Sequence, residues 1–252
     1  MTTSMNTDLS GKRAIVTGAS RGIGEAIARR LASAGARVAL ASRKLEGLEA
    51  VGKSIETETM IVQANMSRSE DVAAIVPAVV EAWGGVDILI NNAGTNPVFG
   101  PILETEERAW DKTFDINVKG PFLLSQAAAA EMDKAGGGAI VNIASTGGLE
   151  PSPMLGAYSV SKAAIIMLTK VLAAELGSSS IRVNCIAPGL VDTKFASVLV
   201  NTPSIHDAYV KRAALGRHGE PDEIAGAALY LASGESSFMT GQVMVIDGGM
   251  RF

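Results

Sequence analysis

The chain has 252 residues, of which 47% are hydrophobic and 19% charged, and its formal net charge is −4. That length and apolar content suffice for a large core in one or two domains, and the lack of a basic surplus argues against nucleic acid or an anionic membrane as partner. One cysteine, Cys185, excludes an internal disulfide and a cysteine metal cluster, and the two histidines, His206 and His218, lack ligand-like spacing, so no metal is expected.

Residues 1–10 are polar, carry no secretory apolar stretch and read as a flexible tail ahead of one domain over 11–252. No apolar run approaches the length of a membrane span, so a cytoplasmic location is the default expectation. Arg13–Thr17 is a short apolar run, a buried strand. Gly18-Ala19-Ser20-Arg21-Gly22-Ile23-Gly24 follows, and 25–34 reads as a helix stopped by Gly35. Strand, glycine turn and helix in that order suit a dinucleotide. The bare backbone can approach a pyrophosphate, and the helix start offers free N–H groups and a favourable dipole. Gly18, Ser20, Arg21, Gly22, Ile23 and Gly24 are the candidate contacts. Their Gly-x3-Gly-x-Gly spacing differs from the commoner Gly-x-Gly-x-x-Gly.

The second strand, Arg37–Ser42, runs into Arg43 and Lys44. In a parallel sheet this end faces the adenosine ribose. No carboxylate lies between Gly35 and Leu45 to accept from a 2′-hydroxyl or repel a phosphate. Ser42 and Arg43, with Lys44 and Arg21 close in sequence or turn, offer charge-assisted bonds to a 2′-phosphate, so NADP(H) is the expected cofactor.

A helix over 45–55, a strand over 60–64, a helix over Ser69–Trp83 and a strand over 86–90 lead to Asn91-Asn92-Ala93-Gly94. The stretch 105–132 reads as largely helical, bent near Pro121, with Asn117 inside it. A strand over 139–143 ends just before Ser145. A helix over Gly156–Leu176 precedes a strand over 181–187, which runs into Pro188-Gly189. A long irregular stretch to Glu220, a helix over 222–232 and a strand over 242–246 complete the chain. Unbroken strand–helix alternation with near-continuous apolar strands gives an α/β fold, a parallel sheet covered on both faces. Asn91, Ser145 and Pro188-Gly189 fall at carboxyl ends of strands, where such sheets bind ligands.

Tyr158 and Lys162 stand at i and i+4 on one helix face. A phenol of pKa about 10 is a poor acid or base at neutral pH, and a neighbouring ammonium lowers that value. The pair can trade a proton with an alcohol or carbonyl oxygen, to which the Ser145 hydroxyl can also hydrogen-bond. The 190–215 segment, with Phe195, Val198, Leu199 and Tyr209, is expected to form a mobile lid over an apolar pocket. Small uncharged residues over 126–130 and at Ala163, Ala164, Ala173 and Ala174 suit close helix packing between subunits.

These segments together resemble the short-chain dehydrogenase/reductase family. The likeness rests on Thr17-Gly18-Ala19-Ser20-Arg21-Gly22-Ile23-Gly24, Asn91-Asn92-Ala93-Gly94, Asn117, Ser145, Tyr158-x-x-x-Lys162 and Pro188-Gly189 in order and spacing. The resemblance implies a Rossmann-type doubly wound sheet of about seven parallel strands, a homotetramer and a small-molecule carbonyl or alcohol substrate. It implies Tyr158 as acid in reduction and base in oxidation, with Lys162 lowering its pKa and binding the nicotinamide ribose. Asn117 would bind a water continuing a proton relay from Lys162. Asn91, Ala93 and Gly94 would line the adenosine side; Pro188, Gly189, Val191 and Thr193 would meet the nicotinamide. Asn65, with Met66 beside it, stands near the adenine where the family commonly has Asp; an amide can still accept from the adenine amino group. The segments Asn96-Pro97-Val98-Phe99-Gly100 and Trp110-Asp111-Lys112 resemble an NADPH-dependent carbonyl/retinal reductase subgroup, while the general pattern is equally similar to 3-oxoacyl-carrier-protein reductases. Two other classes share parts of the pattern. Dinucleotide-binding sensors that have lost catalysis generally lack the Tyr or Lys kept here, and nucleotide-sugar epimerases or dehydratases are usually longer.

Overall fold

The computed structural model describes residues 7–250. Its strands are β1 (Arg13–Thr17), β2 (Arg37–Ser42), β3 (Thr59–Gln63), β4 (Ile88–Asn91), β5 (Gly138–Ile143), β6 (Ile181–Pro188) and β7 (Val243–Ile246). They form one seven-stranded sheet, all parallel, in the order β3-β2-β1-β4-β5-β6-β7. The order reverses between β1 and β4, which opens a crevice at their carboxyl ends, the usual ligand position in a doubly wound sheet.

Successive side chains of a strand point to opposite faces, so a strand covered on both faces is apolar throughout. Val16, Leu40 and Ile90 enter the core under α1 (Gly22–Ser33), α2 (Leu45–Gly52) and α9 (Pro221–Ala232). Their neighbours Ile15, Ala39 and Leu89 enter the core under α3 (Ser69–Trp83) and α5 (Gly120–Lys134). The remaining helices are α4 (Glu107–Phe114), α6 (Gly156–Leu176), α7 (Ser197–Val200) and α8 (Pro203–Arg212). Among the described residues, no helix is long and apolar enough to cross a membrane.

Three expectations need correction. The helix over 105–132 is broken: Asp115–Lys119 winds as a π-helical turn between α4 and α5. The π turn runs directly into α5, whose second residue is Pro121, and inside that turn Asn117 points its amide into the fold. The 190–220 stretch is not irregular, since it carries α7 and α8. Residues 1–6 of the expected tail lie outside the described residues. Leu9, nearer the domain, is buried and its N–H donates to the Ala34 oxygen at 2.7 Å, so attachment begins before Gly11.

On the outside, Phe122, Gln126 and Ala130 form an exposed row on α5, and Val160, Ala163, Met167, Val171 and Ala174 form another on α6. Ala128, Ala129 and Ala173, grouped in sequence with the small surface residues, instead face the chain's own core.

Candidate active site

The carboxyl end of β1 is sewn to that of β4. The Thr17 hydroxyl donates to the Ile90 oxygen at 3.2 Å and accepts from the N–H groups of Asn92 and Ala93, both at 3.0 Å. The Asn92 amide returns a bond to the Thr17 oxygen at 2.9 Å. Gly18 is left-handed (φ +67), and a Cβ there would stand 2.7 Å from that same amide nitrogen, so only glycine fits. Neither Thr17 nor Asn92 stood out as a site-shaping residue in the sequence.

Helix α1 starts at Gly22, inside the glycine turn, and no side chain caps it. Its opening N–H groups remain for a ligand. The Ser20 and Ser42 hydroxyls share a hydrogen bond at 3.1 Å and so bring the glycine turn to the end of β2. Arg21, Arg43 and Lys44 are exposed there, and among the described residues none has a carboxylate partner. A Cβ on Gly94 would lie 3.5 Å from Lys162 Nζ and 3.7 Å from Asn117 Oδ1. A bare backbone therefore faces both groups across a narrow gap. Uncapped helix start, glycine cradle and unpaired cations fit a nicotinamide dinucleotide.

Lys162 is 4% exposed, and its Nζ donates to the Ile143 oxygen at the end of β5, at 2.8 Å. Burial pushes its pKa down to about 8, against a smaller opposing pull from Cys185. Ser145 lies near the Tyr158 phenol. Burial pushes the phenol up to about 12; Ser145 works the other way and Tyr209 adds to the rise. The expectation that Lys162 holds this pKa down is thus not met. The ammonium lies 5.5 Å from the Tyr158 ring centre, over its face, and donates a hydrogen bond to the Ile143 oxygen, while burial of the phenol is the largest influence on it. Ser145 sits just past β5 on extended backbone and accepts from the Gly147 N–H at 3.1 Å.

Asn117 has both amide hydrogens committed, to the Thr95 oxygen and the Ser161 hydroxyl, each at 2.9 Å. Its Oδ1 accepts from the Thr95 N–H at 2.8 Å. A relay water would therefore bond its main chain rather than these donors. Ser161 in turn donates to the main-chain carbonyl oxygen of Tyr158 at 2.7 Å, so the Asn117–Ser161 bond links the π turn to α6.

Some expected contacts point elsewhere. The Asn91 amide donates inward to Ser125 at 3.0 Å and Asn142 at 2.9 Å, so only its main chain is left for adenosine. The Asn65 oxygen closes the turn into α3, accepting from the Ser67 N–H at 3.2 Å and hydroxyl at 3.0 Å, and Met66 beside it is buried. Val191 is a core residue that bridges to Gly219. Thr193 does reach the glycine turn: its methyl lies 3.2 Å from where a Cβ on Gly22 would be. Ala93 is held by Thr17, and Gly189 donates to the Ile246 oxygen at 2.9 Å beside Pro188, the last residue of β6.

The 190–215 segment returns over the site. Phe195 lays its ring 5.9 Å from that of Tyr158, centre to centre, at 41°; the Val198 side chain lies outside the described residues. His206 and His218, without pattern in sequence, meet at 3.1 Å between ring nitrogens because α8 folds back on the loop before α9. An apolar cleft of about 640 Å³ opens alongside, lined by Ile102, Leu149, Pro151, Met154 and Val160.

Comparison with known proteins agrees with this geometry. The family model described as Enoyl-(Acyl carrier protein) reductase matches residues 18–251. The chain is 41% identical over 244 residues to the human Dehydrogenase/reductase SDR family member 4, covering 96% of this chain and 88% of that one. Among solved structures, a 7α-hydroxysteroid dehydrogenase complexed with NADH and 7-oxo glycochenodeoxycholic acid superposes with a TM-score of 0.94 at 34% identity, covering 99% and 98% of the two chains. A gluconate 5-dehydrogenase from Burkholderia cenocepacia J2315, in complex with NADP and tartrate, gives a TM-score of 0.93 at 33% identity over 97% of both chains.

The buried ammonium can be read directly. In a titration of isotope-labelled lysines by NMR, with Lys162→Arg to assign the signal, Lys162 should titrate near 8 while exposed lysines titrate near about 10.4. Between those values the folded side chain is neutral and the unfolded one charged. The unfolded state then binds more protons, so stability should rise with pH through that window. A Lys162 signal moving with the surface lysines would contradict the assignment.

Proposed function

This chain belongs to the short-chain dehydrogenase/reductase family of oxidoreductases, and we propose that it is an NADP(H)-dependent member acting on a small carbonyl or alcohol through Tyr158. The observation that carries the reading is the buried Lys162 ammonium held at the carboxyl edge of the sheet by the Ile143 oxygen, 5.5 Å from the centre of the Tyr158 ring, with Ser145 just past the same strand. A bound nicotinamide supplies or accepts the hydride. The chain supplies position and the proton. With its pKa raised, Tyr158 is protonated at neutral pH and can give that proton to the oxygen of a carbonyl under reduction. The Ser145 hydroxyl donates to the same oxygen as charge develops on it. Lys162, poised near 8, is matched to exchange protons at neutral pH and to bond the ribose.

Tyr158→Phe should cut turnover by about 10²–10⁴-fold and leave cofactor affinity near the wild-type value, because the phenolic proton serves only the chemical step. Turnover within about tenfold of wild type, read at the nicotinamide absorbance, would count against the role.

Preference for NADPH rests on Arg21, Arg43 and Lys44, since the solved relatives above hold NADH in one case and NADP in the other. A forked guanidinium suits the 2′-phosphate and gains little from a 2′-hydroxyl. Arg43→Ala should raise the Michaelis constant for NADPH about tenfold or more and leave that for NADH within about twofold. Equal losses for both cofactors would overturn the assignment.

A homotetramer fits the same molecule. The exposed rows on α5 and α6 are largely uncharged, with Phe122, Val160, Met167 and Val171 apolar, and closed symmetry covers such faces in pairs. Light scattering at micromolar concentration should give four chain masses; a monomer would refute this.

A further inference from the structure

Ser161 stands between Tyr158 and Lys162 on α6 and is wholly buried. A serine inside a helix can spend its one proton on a carbonyl of the preceding turn. Here the hydroxyl donates to the main-chain oxygen of Tyr158 at 2.7 Å, which leaves its oxygen as an acceptor. The donor that meets it is the Asn117 amide, at 2.9 Å. That bond settles which way round the amide stands. Its second N–H goes to the Thr95 oxygen at 2.9 Å, and its Oδ1 accepts from the Thr95 N–H at 2.8 Å. Reversed, the amide would set oxygen against oxygen and N–H against N–H. Asn117 therefore grips both main-chain groups of Thr95. Gly94, the residue before, is the one whose bare backbone faces Lys162 Nζ, where a Cβ would stand 3.5 Å away. The line from Ser161 through Asn117 to Thr95 thus sets the width of the gap in front of Lys162.

Resting on the reading of that gap as part of the dinucleotide site, we propose that Ser161 is a positioning residue for the cofactor. Its hydroxyl, acting through Asn117, holds the Gly94-Thr95 segment at a fixed distance from Lys162. It touches neither cofactor nor substrate. Ser161→Ala leaves an Asn117 N–H buried without its acceptor, and the grip on Thr95 loosens. Arg21 and Arg43 stand at the other end of the site, where NADPH and NADH differ. The Lys162 gap serves the nicotinamide half that the two cofactors share, so the tie acts on both alike.

The test uses the full chain and titrates NADPH and NADH separately by nicotinamide fluorescence, without substrate. Ser161→Ala should weaken both by the same factor, about tenfold. At saturating NADPH, with whichever of 4-nitrobenzaldehyde, cyclohexanone and an acetoacetyl thioester is turned over fastest, kcat should stay within about threefold of wild type. The Thr95 amide hydrogen should exchange faster with solvent by NMR. Adding Ser161→Ala to Asn117→Ala should cost no further affinity, as expected of partners in one bond. If Ser161→Ala does not fold, Ser161→Cys, with nearly the same volume and a weak acceptor, is read in its place with the same expectations. Unchanged affinities with unchanged Thr95 exchange, even with a lowered melting temperature, would overturn the proposal. So would weakening of NADPH alone, or losses that multiply with Asn117→Ala. A fall in kcat with both affinities kept would make Ser161 part of the chemical step and overturn it as well. If the wild-type chain binds neither cofactor, the reading of the site falls and the proposal with it, and the Thr95 exchange rates then separate that failure from absence of the tie.

Discussion

The bond from Lys162 Nζ to the Ile143 oxygen joins helix α6 to the carboxyl end of the central sheet. An ammonium taken out of water loses several kcal/mol of hydration unless polar groups replace it. Here a strand-end carbonyl does so, and its position is set by the register of β5 between β4 and β6. The helix is therefore held at one rotation. Tyr158 stands one turn earlier on the same face, and Ser145, two residues beyond Ile143 in the chain, meets it. Orientation of the Tyr158 side chain is thus set by the sheet and transmitted through the buried Lys162.

The ground under the site is polar as well as apolar. Asn91 and Asn142 are paired in register on adjacent strands, and their amides run from Ser125 on α5 to Thr169 on α6. Both amide nitrogens of this chain are bonded, which favours one arrangement of the two helices on the sheet, while the Asn91 Oδ1 stays buried without a partner among the described residues. Asn117 does the same above it, joining the Thr95 backbone to Ser161 of α6.

The sequence showed the strands because Ile15, Leu40 and Ile90 sit in runs that are apolar on both faces, a pattern few other structures produce. Helix α6 was read to its ends, since Gly156 opens it and the apolar pattern stops at Leu176. Ser145, Tyr158 and Lys162 were legible as a set because chemistry restricts their residue types. What stayed hidden depends on partners distant in the chain. Nothing local to Asn117 announces that it bonds Thr95, and nothing local to Thr17 announces that it holds two N–H groups from the far side of β4. Helices α7 and α8 are short and begin amid Ser, Thr and Pro, which read as loop. The i, i+4 spacing brings Lys162 near Tyr158, but only the fold reveals how deeply the phenol is buried, and burial is what raises its pKa.

The central claim is that this arrangement couples hydride transfer to protonation of a substrate oxygen. It is tested most directly by tracing the hydrogen. With NADPH deuterated on the transferring face of its nicotinamide, the alcohol product of the same carbonyl should carry one deuterium on its carbinol carbon by mass spectrometry. With unlabelled NADPH in deuterated water, that carbon should carry none. Deuterium entering from water, or from neither face of the labelled cofactor, would contradict the account.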